Sequence, residues 1–194
     1  LLNVEYPQEV KNKKEIIFKL PCYIDNTTVE LQAGLKASLK ENIDLYSDFL
    51  AKLCIFEKGQ VISRLPPYLT VQFMRFSWKK ANTSTGSKEG KAKILRSVVY
   101  SKTLDVYDLC SNSTKEILDL GRAIELKMKK NEMDQPKEAK MEVDSQDCSM
   151  VPTGRYQLIA VLTHQGRSSE SGHYIGWVHK KDDDWIKYDD DVVK

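Results

Sequence analysis

The alternation of apolar and polar side chains predicts several short β-strands along the chain. In residues 68–76, the apolar side chains of Leu69, Val71 and Phe73 recur at every second position, which is the period of a half-buried strand. Three other stretches, 16–24, 52–57 and 94–100, are rich in apolar residues of the kinds that strands favour. We expect residues 68–76 to form a central strand and the other three stretches to be strands as well.

Two further segments have the spacing of amphipathic helices. Residues 31–43 place Leu35, Leu39 and Ile43 at intervals of four, which gives a helix there one apolar side. A second helix is predicted to open at residues 113–116, where Ser-Thr-Lys-Glu matches a capping box. Its predicted apolar side consists of Ile117, Leu120, Ile124 and Met128. Strands interspersed with helices and long connections predict an α+β fold with a mostly antiparallel sheet.

Two polar stretches separate these elements. Residues 79–91 consist mainly of Lys, Ser, Thr, Asn and Gly, which predicts a flexible loop. Residues 129–152 are poor in large apolar side chains and rich in Glu, Asp, Lys and Gln. We therefore expect an exposed and largely disordered insertion at 129–152.

The composition narrows the classes of partner. A net charge of +2 is close to neutral and favours neither nucleic-acid nor membrane binding. No apolar run approaches the ~20 residues that a membrane-spanning helix needs. The cysteines form no Cys-x-x-Cys pair, so we predict no structural zinc site. Cys22 and Cys54 lie in apolar, strand-like surroundings and are interpreted as buried thiols, whereas Cys148 lies in a polar segment.

The most informative part of the sequence is a predicted β-hairpin near the end of the chain. Residues 174–178 and 185–188 have strand character and flank a polar turn. In an antiparallel hairpin the numbers of paired residues have a constant sum. A turn centred on Lys181 gives a sum of 362, twice 181, and places Trp177 opposite Trp185.

The same register places His173 opposite Asp189, with Cβ atoms roughly 4.5–5.5 Å apart. An imidazole and a carboxylate so placed can share a hydrogen bond that fixes the tautomer of the ring and stabilises its protonated form. A one-residue bulge would exchange the faces of the strand and make Asp190 the partner instead. The hairpin therefore predicts two members of a catalytic triad. No cysteine of the chain has the surroundings that a nucleophile of low pKa needs.

Two motifs resemble the signatures of the ubiquitin-specific proteases, a family of cysteine deubiquitinases. The first is Ser-Gly-His-Tyr at residues 171–174, followed by Trp-Ile-Lys-Tyr-Asp-Asp at 185–190. The second is Arg-Leu-Pro-Pro-Tyr-Leu-Thr-Val-Gln-Phe-Met-Arg-Phe at 64–76. Residues 162–169 are most similar to the proteasome-associated branch of that family. The resemblance implies a papain-like α+β fold of the ubiquitin-specific protease type.

The resemblance also implies that the chain is part of a larger catalytic domain. The family's cysteine box, an Asn-Thr-Cys-like segment that opens a helix, is missing, and so is the strand expected after the last residue. We therefore interpret residues 1–194 as the C-terminal portion of such a domain. We expect this portion to be inactive and poorly stable on its own.

The roles of individual residues follow from the resemblance. His173 is expected to exchange a proton with a cysteine that lies outside this chain, and Asp189, or alternatively Asp190, to orient His173. The expected reaction is hydrolysis of the (iso)peptide bond after the C-terminal glycine of ubiquitin. Gly172 is expected to leave room for the substrate's glycine tail. The candidate substrate-binding residues are Gly172, Tyr174, Ser168, Ser169 and Phe76.

The resemblance further indicates partners and a location. Ubiquitin and ubiquitinated proteins are the expected partners, with the proteasome as a further candidate, and neither nucleic acid nor membrane is expected. The family implies no cofactor. A cytoplasmic location, with a nuclear one in addition, is typical of it.

Other interpretations of the sequence stay open. The main alternative is a catalytically inactive, ubiquitin-binding scaffold module of the same fold, and a weaker one is an unrelated α+β binding domain. His164 ends an apolar strand, where a structural histidine is favoured over a cleft residue. A metal site built from His164, His173 and a carboxylate is conceivable, but we predict none, because no ligand pair has metal-like helical spacing.

Overall fold

The computed structural model describes residues 14–79, 89–134, 151–166 and 171–194, with the backbone alone for 79 and 131–134. Over these ranges the chain forms two α-helices, one 3₁₀ helix and twelve strands, and the strands pair antiparallel except β1 with β4. The helices are α1 (Leu31–Ser38), a 3₁₀ helix (Tyr107–Leu109) and α2 (Asn112–Asp134). The strands are β1 (Leu20–Tyr23), β2 (Lys40–Ser47), β3 (Lys52–Gly59), β4 (Val71–Met74), β5 (Phe76–Lys79), β6 (Gly90–Lys93), β7 (Thr103–Asp105), β8 (Arg155–Gln157), β9 (Ala160–Gln165), β10 (His173–Lys181), β11 (Asp184–Asp189) and β12 (Val192–Val193). The predicted α+β class with mostly antiparallel pairing is confirmed.

The core lies where β1, α1, the 3₁₀ helix and α2 meet. Cys22, Leu35, Val106 and Leu118 are fully buried there. α1 packs closely on β1 because residue 34 is glycine: a Cβ atom on Gly34 would lie 2.9 Å from Cys22 Sγ. Burial of a large aliphatic side chain contributes roughly 1.5–3 kcal/mol, so this cluster is the main stabilising unit of the described chain.

α1 is shorter than the apolar spacing predicts. It ends at Ser38, and β2 follows at once, paired over its whole length with β3. Leu39 still closes the last helical turn, because its N–H donates to the Leu35 carbonyl at 3.2 Å. Ile43, however, pairs with Phe56 in the hairpin. The predicted helix over residues 31–43 is wrong beyond Ser38, because the Leu-Leu-Ile spacing runs across a helix end into a strand.

The predicted central strand at residues 68–76 is replaced by two short strands. β4 pairs with β1 in parallel, and β5 pairs with β6. Arg75 lies between them, and its guanidinium donates to the carbonyl oxygens of Ile94 at 3.4 Å and Arg96 at 2.6 Å. Arg75 thus separates β4 from β5, where one uninterrupted strand was expected, and its side chain binds the backbone of residues 94–96.

The segment bound by Arg75 is not the predicted strand. Residues 94–100 carry no strand, and Val99 makes an isolated bridge to Glu30. The polar stretch at 79–91 is also shorter than predicted, because Lys79 belongs to β5 and residues 90–91 belong to β6. Residues 80–88 lie outside the described part of the chain.

α2 buries a different side from the predicted one. Leu118 is fully buried, and Gly121 lies so near the Pro152 backbone that a Cβ atom would be 2.3 Å from the Pro152 carbonyl oxygen. By contrast, Ile117 is 51 % and Leu120 65 % exposed. The side predicted to be apolar, with Ile117, Leu120, Ile124 and Met128, is therefore largely exposed within the described chain, and Leu118 lies on the buried side.

Both ends of α2 differ from prediction. The helix begins at Asn112 rather than within the capping box at 113–116, and Ser111 caps it: its Oγ accepts the Thr114 N–H at 3.4 Å. At the other end the helix continues to Asp134, so the first six residues of the predicted insertion at 129–152 are helical. Residues 135–150 lie outside the described chain.

A separate four-stranded antiparallel sheet has the order β12–β11–β10–β9. The short β7–β8 pair precedes this sheet in the chain. It is linked to α2 by an ion pair between Asp105 of β7 and Arg122 of α2. No helix in the described ranges is both long and apolar enough to cross a bilayer. The sheet matters most for function, because the open end of its β10–β11 hairpin brings the predicted site residues together.

Candidate functional site

The β10–β11 hairpin has the predicted strands with a register shifted by two residues. Trp177 pairs with Lys187, and His179 pairs with Trp185, so the numbers of paired residues sum to 364 rather than 362. The predicted Trp177–Trp185 pair is therefore wrong. A bulge between His179 and Lys181 accommodates the turn. Because side chains alternate with a period of two, a shift of two residues leaves every side chain on its predicted face.

At the open end of this hairpin, the imidazole of His173 is bonded to the carboxylate of Asp189. Nε2 and Oδ1 are 2.5 Å apart, across a diagonal of the two strands. The side chains are 40 % and 27 % exposed, so the pair lies at the surface of the described chain. Because a carboxylate can only accept, the proton lies on Nε2, and Nδ1 is the nitrogen left to gain or lose a proton.

Asp189 is held from its other side by Lys187. Nζ of Lys187 lies 2.5 Å from Asp189 Oδ2. The bond from Lys187, followed by the bond from His173, lowers the pKa of the Asp189 carboxyl. The bond to Asp189 is the main reason that the pKa of His173 is raised, and the charge of Lys187 opposes this rise. Asp189 is therefore ionised over the range in which the imidazole titrates.

Asp190 approaches the second nitrogen of the ring. Its Oδ2 lies 3.7 Å from His173 Nδ1, and its side chain is 79 % exposed. At that distance Asp190 makes no hydrogen bond, but its negative charge also raises the pKa of His173. Asp189 is thus the carboxylate that holds the ring by a hydrogen bond, and Asp190 lies beside the other ring nitrogen.

His173, Asp189 and Asp190 also form a set of potential metal ligands. One ligand atom from each lies within 4.8 Å of the others. The ammonium of Lys187 already neutralises Asp189 there, which disfavours a cation. His164 is not part of this set, because it pairs with Tyr174 and so lies on the opposite face from His173.

Gly172 lies against the chain's own side chains and backbone. A Cβ atom at this position would lie 2.1 Å from His164 Nε2 and 2.4 Å from the Gln165 carbonyl oxygen. The missing side chain makes room for the chain's own histidine and backbone. The role of Gly172 in admitting a substrate's glycine tail stays a prediction.

The aromatic candidates Tyr174 and Phe76 belong to one neighbourhood. The Tyr174 ring is 60 % exposed and packs against the His164 ring, with centroids 4.7 Å apart. Phe76 is 40 % exposed and pairs across β5–β6 with Lys93, whose ammonium reaches His164. Both rings therefore offer apolar surface near the start of β10. The other two candidates, Ser168 and Ser169, lie outside the described residues.

Two lysines near the start of β10, Lys187 and Lys93, are not among the residues predicted for the site. Lys187 could have been found, because residues 187 and 189 share one face of a strand. Lys93 could not, because it is 71 residues from His164 along the chain and no local pattern connects the two.

The described cysteines lie apart from His173. Cys22 and Cys110 are buried, and burial raises the pKa of both thiols. Cys54 is only half-buried, in β3, so its prediction as a buried thiol is wrong. Within the described ranges, neither nitrogen of His173 contacts a sulfur atom.

The sequence is similar to known proteins over nearly its whole length. A family model described as "Ubiquitin carboxyl-terminal hydrolase" matches residues 4–194. The chain is 33 % identical over 213 residues to ubiquitin carboxyl-terminal hydrolase 7 of Arabidopsis thaliana, covering 97 % of this chain and 43 % of that protein. It is 35 % identical over 204 residues to ubiquitin carboxyl-terminal hydrolase 14 of Caenorhabditis elegans, covering 95 % and 40 %. The chain thus spans less than half the length of these relatives.

The fold is similar to that of a solved complex. A chain of the SAGA Ubp8/Sgf11/Sus1/Sgf73 DUB module bound to ubiquitin aldehyde superposes with a TM-score of 0.54 at 18 % identity. The match covers 92 % of this chain and 32 % of that chain. At this identity the similarity concerns the fold alone.

Proposed function

The chain belongs to the ubiquitin carboxyl-terminal hydrolase family, and on this premise we propose that it supplies the acid–base part of a thiol-dependent deubiquitinase. The observation that carries the proposal is the 2.5 Å contact between His173 Nε2 and Asp189 Oδ1. It orients an imidazole at the surface and leaves Nδ1 to serve a nucleophile. The proposed substrate is the (iso)peptide bond after the C-terminal glycine of ubiquitin.

In the proposed reaction the nucleophile is a cysteine outside residues 1–194. His173 takes the thiol proton at Nδ1, and the thiolate attacks the carbonyl carbon of the terminal glycine of ubiquitin. The carbon–nitrogen bond then breaks, His173 gives its proton to the leaving amine, and a thioester remains. Water, deprotonated by the same imidazole, hydrolyses the thioester and the thiol is restored. Asp189 holds the ring throughout and stabilises the imidazolium.

The described thiols support the placement of the nucleophile elsewhere. Cys22 and Cys110 are buried with raised pKa values, which is the opposite of what an attacking thiolate needs. Cys54 belongs to the β2–β3 hairpin, and its Sγ contacts the Lys52 carbonyl. We therefore propose that residues 1–194 alone are inactive.

Partners and location belong to the same proposal. Ubiquitin and ubiquitinated proteins are the proposed partners, which the names of the related hydrolases support. The similarity of residues 162–169 to the proteasome-associated branch of the family supports the proteasome as a further partner. A cytoplasmic and nuclear location would suit these partners.

The test is adduct formation between the complete protein and a ubiquitin that carries a C-terminal, thiol-reactive warhead. We expect the wild type to form the adduct and His173→Ala to form it about 10²- to 10⁴-fold more slowly, because that is what a positioned base contributes. His179→Ala is the matched control. It lies on the same strand but packs on Trp185, at a centroid distance of 5.1 Å, and should react like the wild type.

The outcomes separate the two candidate functions. Equal losses in both histidine variants would mean that the sheet is damaged, and would contradict the assigned role of His173. Absence of adduct from every protein, with proteasomes added, would exclude the enzyme. Retained ubiquitin binding in that case would support the inactive scaffold.

A further inference from the structure

We infer that Lys93 is a positioning residue for His173 and acts on it through His164. Lys93 is the last residue of β6 and is half-buried. Its Nζ donates to the carbonyl oxygens of His164 at 2.7 Å and Gly166 at 3.1 Å, and it lies 3.1 Å from His164 Nδ1. An ammonium has three donors and no acceptor, so these contacts occupy all of its hydrogen-bonding capacity.

The third contact fixes the tautomer of His164. Because the ammonium of Lys93 can only donate, Nδ1 of His164 must accept, and the proton of a neutral ring lies on Nε2. Lys93 therefore determines both where the ring lies and which nitrogen faces Gly172. The contact joins two segments, β6 and β9, that are not paired in any sheet.

The ring of His164, held by Lys93, contacts both residues that flank His173 in the sequence, Gly172 and Tyr174. Its ring packs on Tyr174 with centroids 4.7 Å apart. On the other side the ring fills the space beside Gly172, where a Cβ atom would lie 2.1 Å from Nε2. Gly172 and Tyr174 flank His173 in the sequence, so the ring of His164 fixes the backbone from which the imidazole of His173 projects.

The action of Lys93 on His173 is indirect. His164 pairs with Tyr174 across β9–β10, whereas His173 pairs with Gln165, so the two histidine side chains lie on opposite faces. Among the described residues, the side-chain partners of His173 are Asp189 and Asp190, not Lys93. Lys93 therefore affects the alignment of His173 rather than its protonation.

This inference rests on the proposed function for its kinetic test. In the complete protein we expect Lys93→Met to lower kcat for a ubiquitin substrate about 10- to 100-fold, because misplacement of a reacting group by ~1 Å costs about that much. KM should change less than about threefold, since ground-state binding is not the target of the change. Lys93→Arg should recover to within about fivefold of wild type, because a guanidinium also donates to paired carbonyls.

The chain offers a matched control on the same strand. Lys91 lies two residues from Lys93, so it shares the same face of β6 and the same charge, but it is exposed and has no side-chain partner among the described residues. Lys91→Met should behave like the wild type. Equal kcat values for Lys93→Met and Lys91→Met would overturn the inference, as would a loss confined to KM.

A double variant tests the route through His164. His164→Phe keeps an aromatic ring against Tyr174 but removes the nitrogen that accepts from Lys93. If both residues act along one route, the double variant loses no more activity than Lys93→Met alone. A loss equal to the product of the two single losses would show independent action and contradict the route.

Hydrogen exchange tests the same inference without activity. The backbone amides of residues 171–176 should exchange faster in Lys93→Met than in the wild type or Lys91→Met, while β2 and β3 remain unchanged. If the wild type is inactive, the proposed function is wrong, but the exchange measurement can still be made because it does not depend on activity. Unchanged exchange at 171–176 would overturn the inference. If Lys93→Met does not fold, Lys93→Gln replaces it, and a smaller change in the same direction is expected, because its amide keeps two of the three donors on a shorter side chain.

Discussion

His173 meets a different group at each ring nitrogen, and this asymmetry determines what the residue can do. Nε2 is bound to Asp189 at 2.5 Å, whereas Nδ1 has the exposed Asp190 at 3.7 Å. The first contact is a strong, charge-assisted bond that orients the ring. The second is a weak attraction that leaves Nδ1 available. A thiol brought to Nδ1 would find an imidazole already oriented for proton transfer.

At the same scale, two substitutions should move the pKa of His173 in opposite directions. Asp189→Asn removes the carboxylate that stabilises the imidazolium, so the pKa of His173 should fall. Lys187→Met removes a positive charge that opposes the imidazolium, so the pKa of His173 should rise. NMR titration of the His173 ring in the complete protein, labelled at histidine, measures both shifts. Shifts of the same sign would contradict the assigned charges.

The His173–Asp189 pair could be predicted from the sequence, but the residues around this pair could be predicted only in part. The spacing of His173 and Asp189 across a turn was enough to put both on one face, even though the register was two residues off. Lys187 follows from the same alternation. Lys93 and its contacts with His164 depend on how β6 packs beside β9, which no periodicity in the sequence encodes.

At the scale of elements, apolar spacing located the two helices but misjudged their ends and faces. Leu35 and Leu39 are four residues apart because they belong to one helical turn. Ile43 lies four residues further on but belongs to strand β2, where it pairs with Phe56, so its spacing is a coincidence. In α2, Leu118 and the close approach of Gly121 to Pro152 decided the buried side. A helix with apolar residues on two sides has no preferred orientation until its partners are known.

An ion pair between Arg122 and Asp105 adds to the packing that holds α2 in this orientation, and its removal should be costly. Arg122, 22 % exposed, donates to both carboxylate oxygens of Asp105 at 2.6 and 2.8 Å, and to the Thr153 carbonyl at 2.9 Å. We expect Arg122→Met to lower the free energy of unfolding by about 1.5–3 kcal/mol, the range for hydrogen bonds to charged groups.

Urea denaturation of the complete protein measures this loss. Lys129→Met is the control, because Lys129 makes a single exposed pair with Glu125 one helical turn away. Its cost should be about 0.3–0.5 kcal/mol. Equal costs for the two variants would show that the Arg122–Asp105 pair does not orient the helix.

At the scale of the whole molecule, many large apolar side chains of the described residues are exposed. Leu53 is 72 %, Ile55 74 % and Leu162 70 % exposed, and the chain spans 40–46 % of the length of four curated relatives. Patches of this kind usually mark an interface.

The isolated chain should accordingly be poorly stable. We expect residues 1–194 alone to bind a hydrophobic dye and to show no cooperative thermal transition. Calorimetry and dye fluorescence on the purified, monomeric chain provide the measurement. A sharp, reversible transition in the monomer would show that the exposed faces need no cover.

The separation of contacts along the chain implies an order of assembly. His173 and Asp189 are 16 residues apart on one hairpin, a unit that forms in about 1–10 μs. Lys93 and His164 close a loop of 71 residues, for which the entropic cost is larger. A newly synthesised chain would thus possess its acid–base pair before that pair is aligned. On the proposed function, competence for hydrolysis would wait for this long-range contact between Lys93 and His164.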